Sequence, residues 1–341
     1  MYSRRFIVVF FMTSMLLVAG LAFWNYTLDP LGHYAHTNDW NRMQAVVDER
    51  EQKIVRLRDH TESVGTALIG SSRVTYMQTD DFPPSWNVFN FAVANYSMRE
   101  YHSYVLYMIE QHPEVERFIL GVDFFKANEA QAETPQSIAN YVEKVEDPLY
   151  KLRHLLSFPV ARYGWTNARW SLKGETPPNE RWYERGGDAI TTRVEQTEDE
   201  FLSLVETFEQ SFYTDFSYYE PYASIMKKVN DATKGRETIV FTTPVSAALF
   251  DRLLANDLLP AYERWLRELI DVYGGVWHFM DDNSVTRNRS HYMDGHHYDE
   301  TVGRWIAHRL VDGYDASDVP NDFGIYLDAT TIDEYIARFK K

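Results

Sequence analysis

Five short apolar runs, separated by stretches of helical periodicity, constrain the fold of this chain more than any other feature. They are too short for helices and rich in β-branched or aromatic residues, which is typical of buried strands in a parallel sheet. Helical patterns lie between them, at 98–111 and 247–272. Strand–helix alternation predicts a three-layer α/β/α fold with a doubly wound parallel sheet. The five runs are residues 64–70, 87–93, 117–122, 238–243 and 275–280.

The N-terminus carries an uncharged apolar run at residues 6–24, preceded by Arg4 and Arg5. At about 1.5 Å per residue, a helix of this length nearly spans a hydrocarbon core of roughly 30 Å. The two arginines favour a cytoplasmic N-terminus, and Trp24 and Tyr26 would lie in an interfacial aromatic belt. A cleaved signal peptide is the alternative, although its apolar region is usually shorter and ends in small residues. We predict an uncleaved single-pass anchor in the cytoplasmic membrane, with the bulk of the chain extracytoplasmic (periplasmic).

The order of these segments predicts the domain organisation. A mostly helical insertion interrupts the α/β domain, and its aromatic residues would either stack on sugar rings or form a small core of their own: Tyr163, Trp165, Trp170, Trp182 and Tyr183. The predicted parts are a cytoplasmic tail (1–5), an anchor (6–25), an exit segment (26–63) with an amphipathic helix at 41–58, an α/β domain (64–125 and 237–315), the insertion (126–236) and a C-terminal segment (316–341).

Composition excludes several classes of function. A formal charge of −16 repels phosphate backbones and anionic headgroups, so no nucleic-acid partner is expected. The absence of cysteine excludes disulfides, thiolate metal sites and a cysteine nucleophile. Histidines and acidic residues are dense between 281 and 297, but the spacing matches no metal-binding motif. We therefore expect neither a metal nor a cofactor.

Two polar segments follow apolar runs, at the predicted carboxyl edge of the sheet. Ser71 and Ser72 follow Gly70 at the end of the first run, where a serine at a helix start would present its hydroxyl beside free N–H groups. Asp294 and His297 follow the fifth run, and an Asp three residues before a His can orient its ring as a base. Taken separately, these residues also fit helix caps or a surface loop. Carboxyl ends of parallel strands share one edge, so the two segments are predicted to meet.

At these residues the chain resembles the SGNH/GDSL hydrolase superfamily, and most closely its membrane-anchored bacterial members that accompany cell-envelope or exopolysaccharide acylation machinery. The resemblance implies that Ser72 is the nucleophile, His297 the base and Asp294 its orienting partner. It also implies an oxyanion hole that includes the N–H groups of Ser72 and Asn95. The matching blocks, in chain order, are Asp29-Pro30, residues 70–73, 90–95 and 121–124, and residues 283–286 with 294–298.

Two positions depart from the family pattern. Asn95 replaces the usual oxyanion-hole glycine, and its side chain would narrow the pocket. Asp123 replaces an asparagine whose amide usually donates to the oxyanion; an ionised carboxylate only accepts, so Asp123 cannot replace that donor. An ion pair with Arg73 is the alternative role for Asp123. Ser71, Arg73 and His296 are the remaining candidates for the substrate pocket.

The resemblance implies serine-dependent acyl-ester chemistry on a cell-envelope glycan or a similar ester. Water as acceptor would make the protein an esterase or deacetylase, and a glycan hydroxyl would make it an O-acyltransferase. The alternative is a catalytically degenerate accessory protein that binds a glycan or a membrane acyltransferase. A third possibility is an unrelated doubly wound protein whose serines and histidines are only caps.

Overall fold

The computed structural model describes residues 2–133 and 136–340. In chain order its strands are β1 (Met43–Ala45), β2 (Thr66–Ile69), β3 (Val88–Asn90), β4 (Arg117–Val122), β5 (Arg181–Glu184), β6 (Ala189–Thr191), β7 (Glu237–Thr242), β8 (Gly275–His278) and β9 (Ile325–Asp328). Its α-helices are α1 (Tyr2–Leu28), α2 (Glu49–His60), α3 (Tyr101–Gln111), α4 (Ile138–Glu146), α5 (Tyr150–Leu155), α6 (Phe158–Lys173), α7 (Glu198–Phe212), α8 (Tyr222–Ala232), α9 (Ala247–Ala255), α10 (Leu259–Tyr273), α11 (Ser284–Arg287), α12 (Glu300–Asp312) and α13 (Ile332–Ala337).

The central sheet has six strands in the order β3-β2-β4-β7-β8-β9. The first five are parallel to their neighbours and correspond to the five predicted runs, and only β9 is antiparallel. The protein is therefore a mixed α/β protein with a mostly parallel sheet, as predicted. Every residue of β2 is buried, and so are five of the six residues of β4, which explains their continuous apolar sequences. Strand β9 lies in the predicted C-terminal segment and was not predicted.

The chain divides into two compact units, here named the N-terminal unit (Met1–Thr61 and Ala139–Thr192) and the sheet unit (Glu62–Ile138 and Arg193–Lys341). The predicted insertion at 126–236 is therefore shared: residues 139–192 belong to the N-terminal unit and most of the remainder to the sheet unit. A contiguous insertion is the simpler expectation from sequence, because nothing in the pattern shows which helices pack on β1.

Two helix predictions needed correction. The predicted helix at 41–58 begins only at Glu49, because Asp48 caps it by accepting the Glu51 N–H, and Met43–Ala45 instead pairs with β5. The predicted helix at 247–272 is two helices, α9 and α10. The break lies at 256–258, where Asp257 adopts a left-handed φ of 56°, and Pro260 follows in the first turn of α10.

The N-terminal unit begins with the long apolar helix α1. Its segment Arg4–Leu28 is long and apolar enough to span a membrane, with a mean hydropathy of 2.5. The most apolar part of this segment is not buried in the protein. The rest of the unit is built around a small antiparallel sheet in the order β1-β5-β6. Trp170 packs with Met43, Ala45 and Trp182 on this sheet, so part of the aromatic set does form a core.

Candidate active site

The serine segment forms a tight turn after β2. A Cβ on Gly70 would lie 2.4 Å from Val74 Cγ2 and 2.9 Å from the Gly121 carbonyl oxygen, so glycine is required where β2 approaches β4. Only a three-residue 3₁₀ turn, Val74–Tyr76, follows Ser72. The predicted helix start is therefore wrong, and a helix dipole cannot be invoked at this serine. The side-chain amide of Asn90 holds the turn instead, donating to the carbonyls of Val74 and Met77 at 3.0 Å each.

The histidine segment is a closed loop after β8. Tyr292 and Tyr298 form an antiparallel bridge, and the Met293 N–H donates to the His297 carbonyl at 2.9 Å. Gly295 sits at the loop tip with φ of +78°, and a Cβ there would lie 2.6 Å from Val205 Cγ2. Arg193 ties the base of the loop by pairing with Asp299 at 2.8 Å. The loop is thus fixed by its own backbone and by α7.

The two segments meet at the predicted edge of the sheet. Ser72 Oγ lies 2.9 Å from His297 Nε2, and His297 Nδ1 lies 2.7 Å from Asp294 Oδ2. Because a carboxylate only accepts, the proton on the ring belongs at Nδ1, which leaves Nε2 to accept the serine hydroxyl proton. Ser72 is partly exposed, and the side chains of His297 and Asp294 are 23% and 22% exposed, so the chain of hydrogen bonds opens to solvent.

Asp294 is arranged to remain ionised. Burial opposes its ionisation, but the charge of His297 and the hydrogen bonds to the carboxylate outweigh burial and hold its pKa below the ordinary 3.8. Its Oδ1 accepts the backbone N–H groups of His296 at 3.0 Å and His297 at 2.7 Å. An ionised, fixed carboxylate orients the imidazole and stabilises the imidazolium form.

Asp123 is committed to a buried ion pair. Its Oδ1 lies 2.7 Å from Arg73 Nη2, both side chains are 1% exposed, and Thr243 Oγ1 donates to the same oxygen. Nη1 of Arg73 donates to the carbonyls of Thr243 and Pro244. The pair joins the ends of β2, β4 and β7, which is the structural role weighed for Asp123. Arg73 is equally engaged, so neither side chain is presented to an open cleft.

Asn95, where the resemblance implied a glycine, has a left-handed backbone. Its φ is +49°, in the left-handed region that asparagine tolerates better than other non-glycine residues. Its side chain is held to one side, because Oδ1 accepts from Lys126 Nζ at 2.6 Å. Lys126 is 2% exposed and brings a cation to this turn. Sequence reasoning missed Lys126, although it lies only two residues after the block at 121–124.

His296 is buried beneath an aromatic cluster rather than lining an open pocket. Its ring lies 5.0 Å or less, centroid to centroid, from those of Phe125, Phe208 and Phe212. Burial, together with the nearby charges of Arg73, His297 and Lys126, lowers the pKa of His296 far below its usual value. Phe208 also faces His297 at 6.2 Å. The His296 ring is thus neutral and packs, with the phenylalanines, beside the ring of His297.

Ser71 turns away from the base. It is 1% exposed, and its hydroxyl makes no hydrogen bond to any residue that the structure describes. Of the two adjacent serines, only Ser72 contacts His297. Phe208 and Phe212 were not predicted, and the only signal for them was the aromatic richness of the insertion.

Within residues 2–133 and 136–340, no group of three or more histidine, aspartate or glutamate side chains is arranged to hold a metal ion.

No protein-family model, no curated protein and no solved structure matches this chain. The geometry of the site is therefore the observation that bears on function.

Proposed function

We propose that this protein is a membrane-anchored serine acyl-ester hydrolase or O-acyltransferase of the SGNH type, with Ser72 as nucleophile. The observation that carries the proposal is the continuous hydrogen-bonded chain from Ser72 through His297 to Asp294. A serine, an imidazole in the right tautomer and an orienting carboxylate are the three groups that activate a hydroxyl at neutral pH. The order of the parallel strands, second-first-third-fourth-fifth, agrees with a flavodoxin-like sheet and with ligand binding at its carboxyl edge.

The reaction would run in two halves. His297 Nε2 takes the Ser72 proton while Oγ attacks the ester carbonyl, and the tetrahedral intermediate expels the alcohol, which receives that proton from His297. In the second half His297 deprotonates an acceptor hydroxyl that attacks the acyl-enzyme, and it returns that proton to Ser72 Oγ when the bond between Oγ and the acyl carbon breaks. Water as acceptor gives hydrolysis, and a hydroxyl of a cell-envelope glycan gives transfer.

The oxyanion would be held by the N–H groups of Ser72 and Asn95. The Ser72 N–H makes no hydrogen bond within the described parts of the chain. The backbone at Asn95 is left-handed, a conformation that glycine adopts freely. Its side chain lies between the Lys126 ammonium, 2.6 Å from Oδ1, and the Glu133 carboxylate, 3.4 Å from Nδ2, so the positive charge of Lys126 near that turn is partly offset. Asp123 supplies no donor, and one missing donor typically costs about 2.7–4 kcal/mol in the transition state. We therefore expect slow turnover compared with a hydrolase that has all three donors.

Membrane anchoring by α1 is the second part of the proposal. Residues at the end of α1 are built into the N-terminal unit: Leu28 is fully buried and Asn25 is 3% exposed. Asp29 follows, paired with Arg185 at 2.7 Å. A chain cut after Trp24 would lose the hydrogen bond from Trp24 Nε1 to the Ala161 carbonyl and would leave the buried Asn25 at a charged N-terminus, so retention of the helix is favoured over cleavage.

One observation favours the alternative of a binding protein without turnover. Where the SGNH resemblance implies an asparagine donor, Asp123 offers only a carboxylate, and that carboxylate is committed to Arg73. Such a protein would keep the fold and the cleft while its chemistry is lost.

Fluorophosphonate labelling of the full-length protein tests the proposal. We expect one label, absent from Ser72→Ala and retained by the matched control Ser71→Ala. In an acyl-ester assay, Ser72→Ala should lose most activity, up to the order of 10⁶-fold for a fully operating triad. Labelling lost only from Ser71→Ala would overturn the assignment, and a folded native protein that neither labels nor turns over would favour the binding alternative.

A further inference from the structure

Residues 149–173, here named the platform segment, differ in charge from the rest of the chain. The segment contains α5 and α6 and has five Lys and Arg residues without a single Asp or Glu. The whole chain has 34 basic and 50 acidic residues, so a 25-residue stretch without a carboxylate stands apart. Lys151 and Arg153 are paired with Asp59 and Asp147, and the positive charge that remains on α6 suits an anionic surface, which the net charge of the molecule does not.

The same segment exposes large apolar side chains. Among the described residues after α1, thirteen large hydrophobic side chains are exposed, and seven of them lie here. Such a concentration marks an interaction surface rather than ordinary surface composition. The seven are between 41% and 72% exposed: Leu149, Leu152, Leu156, Phe158, Tyr163, Trp165 and Leu172.

Helix α6 arranges the two kinds of residue on one face. Positions spaced by four, seven, eleven and fourteen residues fall on a single helical stripe, and here all are exposed: Phe158, Arg162, Trp165, Arg169 and Leu172. Buried residues, including Val160, Gly164 and Asn167, form the opposite face. Neither Arg162 nor Arg169 forms an ion pair with any described carboxylate. Aromatic and leucine side chains beside free arginines are typical of helices that lie in a membrane interface.

The platform segment is attached to the end of α1. Asn25 Nδ2 donates to the carbonyls of His154, Leu155 and Ser157 at 2.9–3.0 Å, which lie between α5 and α6. Trp24 Nε1 donates to the Ala161 carbonyl at 3.2 Å, and its ring stacks on Trp165 at 6.1 Å. If α1 spans a bilayer, Trp24 lies at interface depth, and so do the residues that touch it.

We propose that α5 and α6 lie on the surface of the bilayer that α1 spans, with the apolar side chains inserted and the arginines against anionic phospholipid headgroups. This inference rests on the proposed anchoring by α1, and it adds a second contact that fixes how the N-terminal unit meets the membrane. An interfacial helix whose stripe combines Phe, Trp, Leu and Arg reaches both the acyl boundary and the headgroup phosphates. Because the platform segment is attached to the membrane end of α1, we infer that its exposed face contacts lipid rather than a protein partner.

Site-directed spin labelling of the full-length protein in lipid vesicles tests this. The chain has no cysteine, so each introduced cysteine takes a single nitroxide. Test positions are Leu152→Cys and Phe158→Cys, with Glu180→Cys as an exposed control in the same unit and Val18→Cys as a control within α1. The measurement is collision with a water-soluble nickel chelate and with oxygen, in vesicles of phosphatidylcholine with or without phosphatidylglycerol.

We expect the labels at 152 and 158 to collide with the nickel chelate at least threefold less than the label at 180 in phosphatidylglycerol vesicles. The protection should weaken in phosphatidylcholine alone and when Arg162→Gln and Arg169→Gln are combined with the label at 158. Equal chelate exposure at 152, 158 and 180, with the label at 18 buried in lipid, would overturn the platform and leave the anchor intact. A label at 18 exposed to chelate would overturn the anchoring itself.

Discussion

Asp123 serves the structure of the site rather than its proposed chemistry. An asparagine at this position is what the SGNH proposal would expect as an oxyanion donor, whereas the aspartate is tied to Arg73 and Thr243 at the junction of three strand ends. Two fully buried, oppositely charged groups require each other, because either one alone would be an uncompensated charge in a dry interior. The pair therefore contributes to the stability of the sheet unit and supplies no donor to the proposed oxyanion hole.

We predict that Asp123→Asn destabilises the sheet unit by about 3–5 kcal/mol, the usual cost of removing one partner of a buried pair. It should not increase fluorophosphonate labelling, because the new amide still faces Arg73. Urea denaturation followed by circular dichroism measures the first effect. The matched control is the double variant Arg73→Met with Asp123→Leu, which removes both charges and should recover part of the loss. A single variant as stable as the native protein would contradict the role assigned to the pair.

At the scale of elements, one buried histidine on β8 links this strand to β7, α10 and α13. His278, the last residue of β8, lies 2.9 Å from Thr242 Oγ1 on β7 and 2.8 Å from the hydroxyls of Tyr262 on α10 and Tyr335 on α13. Burial lowers the pKa of His278 to about 3, from 6.5 in an exposed chain. The neutral ring therefore belongs to the folded state.

This pKa difference predicts acid sensitivity. Between about pH 6.5 and pH 3 the unfolded chain binds a proton at His278 that the folded protein does not, so stability falls as pH falls, by up to about 1.4 kcal/mol per pH unit. The contribution is fully present above pH 6.5. In His278→Gln, which keeps polar groups but does not titrate, the free energy of unfolding should fall less steeply between pH 6 and pH 4. All other titrating groups are common to both proteins, so identical slopes would contradict the assignment.

The strands that the sequence predicted are mostly those that are buried on both faces. Strands β2, β4 and β7 lie inside a parallel sheet, and their apolar runs are readable without knowledge of the fold. Strands β1 and β9 mix polar with apolar residues and form through antiparallel tertiary pairing, so no continuous apolar run indicates them in the sequence. Ser72 and His297 could be paired in advance because strand ends converge at one edge. Lys126 and Phe208 could not, since their positions depend on how the 3₁₀ turn after β4 and helix α7 pack.

For the whole molecule, charge and hydropathy are distributed unevenly. The chain is acidic overall, with a pI of about 5.1, yet the platform segment carries only positive charges. An acidic body is repelled by an anionic bilayer, and a basic patch beside the anchor counteracts that repulsion locally. The net charge alone argued against anionic lipid, and that argument does not apply to the surface next to α1.

The last prediction concerns the anchor as part of the whole chain. Because Trp24 ends the apolar run and its Nε1 is hydrogen-bonded to the Ala161 carbonyl, we expect the mature protein to retain α1. Mass spectrometry of protein purified from membranes should find the segment from Arg5 to Asn25, and alkaline carbonate should leave the protein in the membrane pellet. Carbonate removes proteins held only by charge, so resistance separates a spanning helix from attachment through α5 and α6 alone. A mature chain that begins after Trp24 and is released as a soluble protein would contradict the anchor, and the platform would then have no spanning helix beside it.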